Sequence, residues 1–184
     1  MADRPAIIVI TGIQGAGKST VGPLLAARFE RGAYVEADAL QKMIVSGGQW
    51  VTETSGPGEI ADEAGRQLRL RLRNACLVAR SFYDAGFTAI IDDIIVGERW
   101  GHLREDLRGQ SFYLVVLAPD VETVIARDAA RDHVAGAEWG HFLDGELRKT
   151  MASIGLWVDS ARQSPEETVE EIMRRIWDEG LIES

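Results

Sequence analysis

The sequence contains little cysteine, little positive charge and no long apolar run. Its single cysteine, Cys76, excludes an internal disulfide and a multi-cysteine metal site, which favours a reducing cytoplasm. Lys and Arg number 20 against 29 Asp and Glu, and the net charge of -9 repels polyphosphate chains. No apolar run approaches the roughly 18 residues that a membrane-spanning helix needs. We therefore expect neither nucleic acid nor a membrane among its partners.

The composition is that of one globular domain. Hydrophobic residues make up 46% and charged residues 27% of the 184 positions, which excludes a disordered or low-complexity chain. A chain of this length is large enough for one core, and it contains no internal repeat and no linker. We predict a single domain over residues 1–184.

Strand patterns alternate with helix patterns along the chain. Short apolar runs predict strands at residues 6–11, 33–37, 87–91, 111–118 and 155–158. Helical periodicity follows the first strand and recurs at residues 38–47, 59–85, from 121, at 142–151 and from a capping box at 164–167. This alternation predicts an α/β domain, with a parallel sheet covered by helices on both sides.

A glycine-rich loop lies between the first strand and the first helix. It matches the pattern of glycine, four residues, glycine, lysine and serine or threonine. Its backbone amides and the following helix N-terminus attract phosphate, Lys18 adds a full positive charge, and Ser19 is a ligand for Mg²⁺. A glycine turn that binds nothing is the structural alternative. The predicted nucleotide-binding residues are Gly12, Ile13, Gln14, Gly15, Ala16, Gly17, Lys18, Ser19 and Thr20.

Asp38 follows the second predicted strand. If that strand neighbours the first, its carboxylate faces the terminal phosphate of the nucleotide and can accept a proton from an attacking hydroxyl. Gln41 stands three residues later, so a helix-capping box is an alternative interpretation of the same pair. Asp38 is therefore a candidate catalytic base with a structural role left open.

Two further carboxylates, Asp92 and Asp93, close the third predicted strand. Successive side chains at a strand end point to opposite faces, so one of the pair is expected to reach the metal. We favour Asp92, which is nearer the apolar run, and a solvated pair that caps a turn is the alternative. Asp159, after the fifth strand, is expected to be a turn residue.

Arg127 and Arg131 are four residues apart and share one helix face, just before a segment rich in Gly, His and Trp. Guanidinium groups carried by a lid neutralise charge on a transferring phosphoryl group and help to exclude water. We predict such a lid at about residues 127–142, with a solvated basic face as the alternative. Surface or lid positions are expected for His102, His133 and His141. Ordinary packing is expected for Trp50 and Trp139, with the lining of an acceptor pocket as the alternative.

These motifs together resemble the small-molecule kinases that carry a P-loop, and in particular the chloramphenicol phosphotransferase group. The resemblance rests on the loop, on Asp38-Ala39-Leu40 and on Arg127 to Arg131 before a lid. It implies a three-layer sandwich with strand order 2-3-1-4-5, an ATP and Mg²⁺ requirement, Asp38 as the hydroxyl-activating base and the two arginines as lid residues. No residue that contacts a drug is carried over, because residues 49–58 match no motif.

The leading functional hypothesis is an ATP-dependent kinase that moves the γ-phosphoryl group to a hydroxyl of a small molecule, either antibiotic-like or a metabolite. Nucleosides and nucleotides are rival acceptors. A nucleotide-dependent switch that is recognised by a protein partner is the alternative outside enzyme chemistry. Neither the acceptor nor the oligomeric state follows from the sequence.

Overall fold

The sheet has the strand order that the family resemblance implies. The computed structural model describes residues 4–51, 63–124 and 137–183. Within them the order is β2-β3-β1-β4-β5, all neighbours are parallel, and β6 pairs antiparallel with β4. The strands are β1 (Ile7–Thr11), β2 (Gly32–Glu36), β3 (Thr88–Asp92), β4 (Phe112–Leu117), β5 (Leu156–Val158) and β6 (Leu181–Ile182). The predicted α/β class and strand order are confirmed.

Helices cover both faces of this sheet. They are α1 (Lys18–Ala26), α2 (Ala37–Lys42), α3 (Glu63–Asp84), α4 (Glu98–Asp106), α5 (Ala137–Met151) and α6 (Pro165–Glu179). None of the helices in the described ranges is both long and apolar enough to cross a bilayer.

The core has two layers because side chains alternate along each strand. In β1, Ile7 and Val9 pack into one cluster with residues of α3, α4 and α5. Ile8 and Ile10 pack into the other cluster with residues of α1 and α6. All five residues of β1 are buried, as a continuous apolar run at the centre of a parallel sheet requires. We call the two sides the α3 face and the α1 face.

Two elements, α4 and β6, were not predicted from the sequence. Helix α4 was not predicted, because its nine residues are mostly polar and only Arg99 and Leu103 are buried. The two-residue strand β6 is too short to show alternation, and it is defined by its pairing with Phe112 and Tyr113.

Helix boundaries also differ from the predictions. Helix α2 ends at Lys42 and not near the Gly47-Gly48 pair, and α5 begins at Ala137 and not at 142. The start of the predicted 59–85 helix, residues 59–62, lies outside the described residues. The predicted capping box of α6 is confirmed, since Ser164 and Glu167 each accept a hydrogen bond from the other's backbone amide.

Candidate functional site

The glycine-rich loop joins β1 directly to α1. A side chain at Gly12 is excluded, because its φ is 151° and a Cβ there would lie 2.5 Å from the carbonyl oxygen of Leu117. Helix α1 starts at Lys18 with no side-chain cap from Gly17, so its first backbone amides have no side-chain acceptor there. Free amides at a helix N-terminus, with the positive end of the helix dipole, form a site for an anion.

Lys18 folds back over this loop. Its Nζ donates a 3.2 Å hydrogen bond to the carbonyl oxygen of Ile13 and is partly buried. Burial raises the pKa of Asp92, and the positive charge of Lys18 opposes that rise. The structure therefore brings together two of the predicted residues, one from the loop and one from the end of β3.

Asp92 is buried on the α1 face at the last position of β3. One carboxylate oxygen, Oδ2, accepts a 2.8 Å hydrogen bond from the Tyr34 hydroxyl. Burial raises the pKa of Asp92, while Lys18 and the Tyr34 hydrogen bond act in the opposite direction. The charges of Asp93 and Asp38 add to the rise.

Tyr34 holds its position because α1 packs closely on its ring. A Cβ at Gly22 would lie 2.4 Å from Cε2 of Tyr34, so the glycine in the middle of α1 makes room for the tyrosine. The hydroxyl then reaches Asp92 across the β2–β3 pair. Sequence analysis did not identify Tyr34, since its partner is 58 positions away along the chain.

The residues around the loop fit Mg²⁺. Within the described ranges, no group of three or more His, Cys, Asp or Glu side chains is arranged to hold a metal by itself. Mg²⁺ keeps several waters and binds through one or two carboxylates together with substrate phosphates, so such a cage is not required. Ser19 lies exposed in the first turn of α1, and Asp92 keeps one oxygen that Tyr34 does not engage. These are the two residues that the sequence predicted.

Asp38 lies in α2, directly after β2, in a different setting from the predicted one. Strand β3 separates β2 from β1, so the premise that β2 neighbours β1 is wrong. The capping-box alternative is wrong too. Helix α2 begins at Ala37, its N-cap is Glu36, and Gln41 donates to Gln67 Oε1 and to a backbone carbonyl. Asp38 keeps its place at the carboxyl edge of the sheet because β2 ends there.

The carboxylate of Asp38 is held by an arginine of α3. Arg71 Nη1 donates to Asp38 Oδ1 at 2.6 Å, and the Asp38 side chain is 52% exposed while that of Arg71 is 8% exposed. Arg71 Nη2 donates to Asp93 Oδ1 at 2.5 Å. One guanidinium thus bridges a half-exposed carboxylate and a buried one.

Asp93 points to the α3 face, opposite to Asp92. Its second oxygen accepts from Arg99 Nη2, and the backbone amide of Ile94 donates to Oδ1 at 2.8 Å. Burial lowers the pKa of Arg99, and the charge of Asp93 opposes that effect. The prediction that the pair diverges matches this geometry, although Asp93 lies in an ion-pair network and not in a solvated turn.

Sequence analysis missed Arg71 and Arg99. A signal for Arg71 was present, since it falls within the buried stripe of α3, between Gln67 and Ala75. An arginine inside a buried stripe requires a paired carboxylate. No comparable pattern marks Arg99, because the helix that carries it has few buried positions.

The remaining predicted residues lie at the surface or outside the described ranges. Asp159 is exposed and accepts a 3.0 Å hydrogen bond from the backbone of Ala161, as expected of a turn residue. His141 lies 3.7 Å from Glu122 at the surface. Arg127 and Arg131, with most of the predicted lid, lie outside the described residues. The part of the predicted lid from 137 to 142 belongs to α5.

Comparison with known proteins gives one relative and several structures of the same fold. The shikimate kinase of Gloeobacter violaceus is 30% identical over 123 residues, which cover 65% of this chain and 60% of the relative. The tunicamycin resistance protein of Deinococcus radiodurans superposes with a TM-score of 0.68 at 18% identity, over 98% of this chain and all of that one. No family model matches the sequence.

A third protein of this fold was solved with nucleotide. The APS kinase CysC of Mycobacterium tuberculosis, in complex with AMPPNP and APS, superposes with a TM-score of 0.58 at 19% identity, over 93% of this chain and 96% of that one. The narrower likeness to the chloramphenicol phosphotransferase group stays a prediction. The chain has the fold of this APS kinase and of the tunicamycin resistance protein.

Proposed function

We propose that the chain is an ATP-dependent phosphotransferase that moves the γ-phosphoryl group to a hydroxyl of a small molecule. One observation carries this proposal. The N-terminus of α1, which has no side-chain cap, lies with Lys18 and Asp92 at the carboxyl end of the sheet, and so does Asp38, which Arg71 holds. The fold shared with kinases, one of them bound to AMPPNP, supports it.

The loop and Lys18 perform the first task, which is to hold the triphosphate. Backbone amides of the loop and of the first turn of α1 would contact the phosphate oxygens, and the Lys18 ammonium, which donates to the carbonyl of Ile13, would move to the outer phosphates. Ser19 and Asp92 would hold Mg²⁺ between them. When bound, the metal neutralises charge on the β- and γ-phosphates.

Asp38 performs the second task. The Asp38 carboxylate, which is 52% exposed and is held on Oδ1 by Arg71, accepts the proton of the acceptor hydroxyl as the hydroxyl oxygen attacks the γ-phosphorus. The bond between the γ-phosphorus and the β–γ bridging oxygen breaks, and ADP leaves. Arg127 and Arg131 are proposed to approach the phosphoryl group from the lid and to neutralise the charge that develops during transfer.

The loop after α2 supports a small acceptor with an apolar portion. Met43, Val45 and Trp50, which follow Asp38 within twelve positions, expose 70%, 98% and 46% of their surface. Gln67 holds this loop against α3 through the carbonyl of Gly47 at 2.8 Å and the amide of Gln49 at 2.7 Å. Apolar side chains on a tethered loop provide contact area for a ligand. The acidic sequence disfavours a nucleic-acid acceptor, and a cytoplasmic location agrees with ATP as donor.

The test is a screen for transfer. Purified protein with Mg-ATP is incubated with hydroxylated metabolites, nucleosides and antibiotics, and products are searched by mass spectrometry for the gain of one phosphate. The Lys18→Ala variant is the control for contaminating kinases. An ATP-dependent product that the variant does not form is expected. If no acceptor gains phosphate although calorimetry shows Mg-ATP binding, transfer is wrong and a nucleotide-dependent switch is the better hypothesis.

A further inference from the structure

The ion pairs on the α3 face form a chain that ends at the proposed base. Asp93, with 1% of its side chain exposed, receives Arg71 on Oδ1 and Arg99 on Oδ2. Arg71 continues the chain to Asp38. The two carboxylates and two guanidiniums are balanced in charge, so the network is neutral when Asp38 is ionised.

We propose that Asp93 is a positioning residue, which fixes the guanidinium of Arg71 so that Arg71 in turn fixes the carboxylate of Asp38 toward the acceptor. We call the contacts from Asp93 through Arg71 to Asp38 the clamp. The role of Asp38 as base rests on the proposed function, whereas the existence of the clamp does not. Asp93 acts through Arg71, since it has no contact with Asp38 in the described structure.

The geometry of arginine explains why this residue type is used. The planar guanidinium presents two terminal nitrogens in a fixed fork, and here each nitrogen holds a different carboxylate, at 2.6 and 2.5 Å. A half-exposed aspartate on a six-residue helix otherwise samples several rotamers. Burial of Asp93 and Arg71 provides the fixed end against which Asp38 is oriented.

A purely stabilising role makes a different prediction, and the protein supplies a matched control for it. Arg69 of α3 and Asp106 of α4 form another ion pair with low exposure, with Nη2 and Oδ1 2.8 Å apart. This pair also links α3 to α4, yet its hydrogen bonds and ion pairs do not extend to Asp38. Asp106→Asn therefore removes a comparable ion pair without touching the clamp.

The first experiment measures the clamp directly and needs no acceptor. In ¹⁵N-labelled protein, the terminal nitrogens of a restrained guanidinium give separate resonances because rotation about their bonds to Cζ is slow. Those of Arg71, assigned by their loss in Arg71→Lys, are expected to be separate in the wild type and averaged in Asp93→Asn. The Arg69 resonances serve as the internal control. Unchanged Arg71 resonances in Asp93→Asn would overturn the proposal.

The second experiment uses an acceptor from the transfer screen. Asp93→Asn is expected to lower kcat by about 10²-fold, the cost of a small misplacement of a reacting group, with the KM for ATP unchanged. Arg71→Lys should behave in the same way, because a lysine retains the charge but cannot span two carboxylates. It also replaces Asp93→Asn if that variant does not fold.

The experiments distinguish a positioning role from a purely structural one, and both from failure of the proposed function. Asp106→Asn should lower the melting temperature while its kcat stays at the wild-type value. If Asp93→Asn and Arg71→Lys lose no more activity than Asp106→Asn, the network is only structural and the positioning role is wrong. If the wild type transfers phosphate to no acceptor, the proposed function fails, and the guanidinium resonances still decide whether the clamp exists.

Discussion

The two faces of the sheet build their halves of the site by different means. On the α1 face, the proposed phosphate site consists of a continuous stretch of backbone, residues 12–20, together with Lys18 and Asp92. On the α3 face, the proposed acceptor site consists of side chains from four separate segments, namely Asp38, Arg71, Asp93 and Arg99. The proposed phosphate site is therefore local in the sequence, whereas the proposed acceptor site depends on the packing of distant segments.

Substitution of Asp38 should separate the two halves most completely. Asp38→Asn removes the proton acceptor but keeps the shape of the side chain and a partner for Arg71, so transfer should fall by about 10²–10⁴-fold. Binding of Mg-ATP, measured by calorimetry, should be unchanged because Asp38 is not part of the loop that is proposed to hold the nucleotide. Wild-type transfer rates in this variant would remove Asp38 from the mechanism.

Substitution of Lys18 should have the opposite signature. Lys18→Ala removes the full charge that faces the outer phosphates, so kcat should fall by about 10²–10³-fold, as for other preorganised electrostatic groups. The affinity for ATP should weaken as well, which Asp38→Asn does not cause. Equal ATP affinity in Lys18→Ala and in the wild type would contradict the placement of the triphosphate on this loop.

Tyr34→Phe tests the link between Asp92 and the metal. Loss of the hydroxyl leaves Asp92 without its 2.8 Å hydrogen bond, and residues that orient a metal ligand are typically worth 10–100-fold in metal affinity. We expect the Mg²⁺ concentration for half-maximal activity to rise about tenfold, with the KM for the acceptor unchanged. A rise in the acceptor KM alone would place Tyr34 on the acceptor side.

The same contrast explains what the sequence could predict. The loop pattern and the ends of β2 and β3 are local, so Lys18, Ser19, Asp38 and Asp92 were identified from spacing and strand periodicity. The partners of Arg71 are 33 and 22 positions away, and spacing rules do not reach across such distances. The strand order was implied only by resemblance, since β1 pairs with β3 and β4 while periodicity describes each strand alone. Helix α4 was missed because Arg99, one of its two buried residues, is of a type that usually lies at the surface.

The reactivity of Cys76 measures how tightly α3 packs on the sheet, and it requires no substitution. Burial raises the pKa of its thiol to about 12, with the charges of Asp106 and Asp93 adding to the rise. The thiolate is the form that reacts with thiol reagents, so modification at pH 8 should be slow in the folded protein and fast after unfolding. Rapid labelling of the native protein would show that α3 separates readily from the sheet, and the acceptor side would then be far less rigid than the phosphate side.

The pH dependence of stability gives the same information at equilibrium. Because the folded-state pKa of Cys76 lies above its ordinary value of 9.0, the folded protein retains a proton that the unfolded chain releases. The contribution of Cys76 is constant below pH 9 and is lost as pH rises from there toward 12. Between pH 8 and pH 10 the wild type should lose about 1 kcal/mol more unfolding free energy than Cys76→Ala, as measured by urea denaturation. Equal losses of unfolding free energy in the two proteins would mean that water reaches the Cys76 thiol in the folded state. The same water would then reach α3, which also carries Arg71.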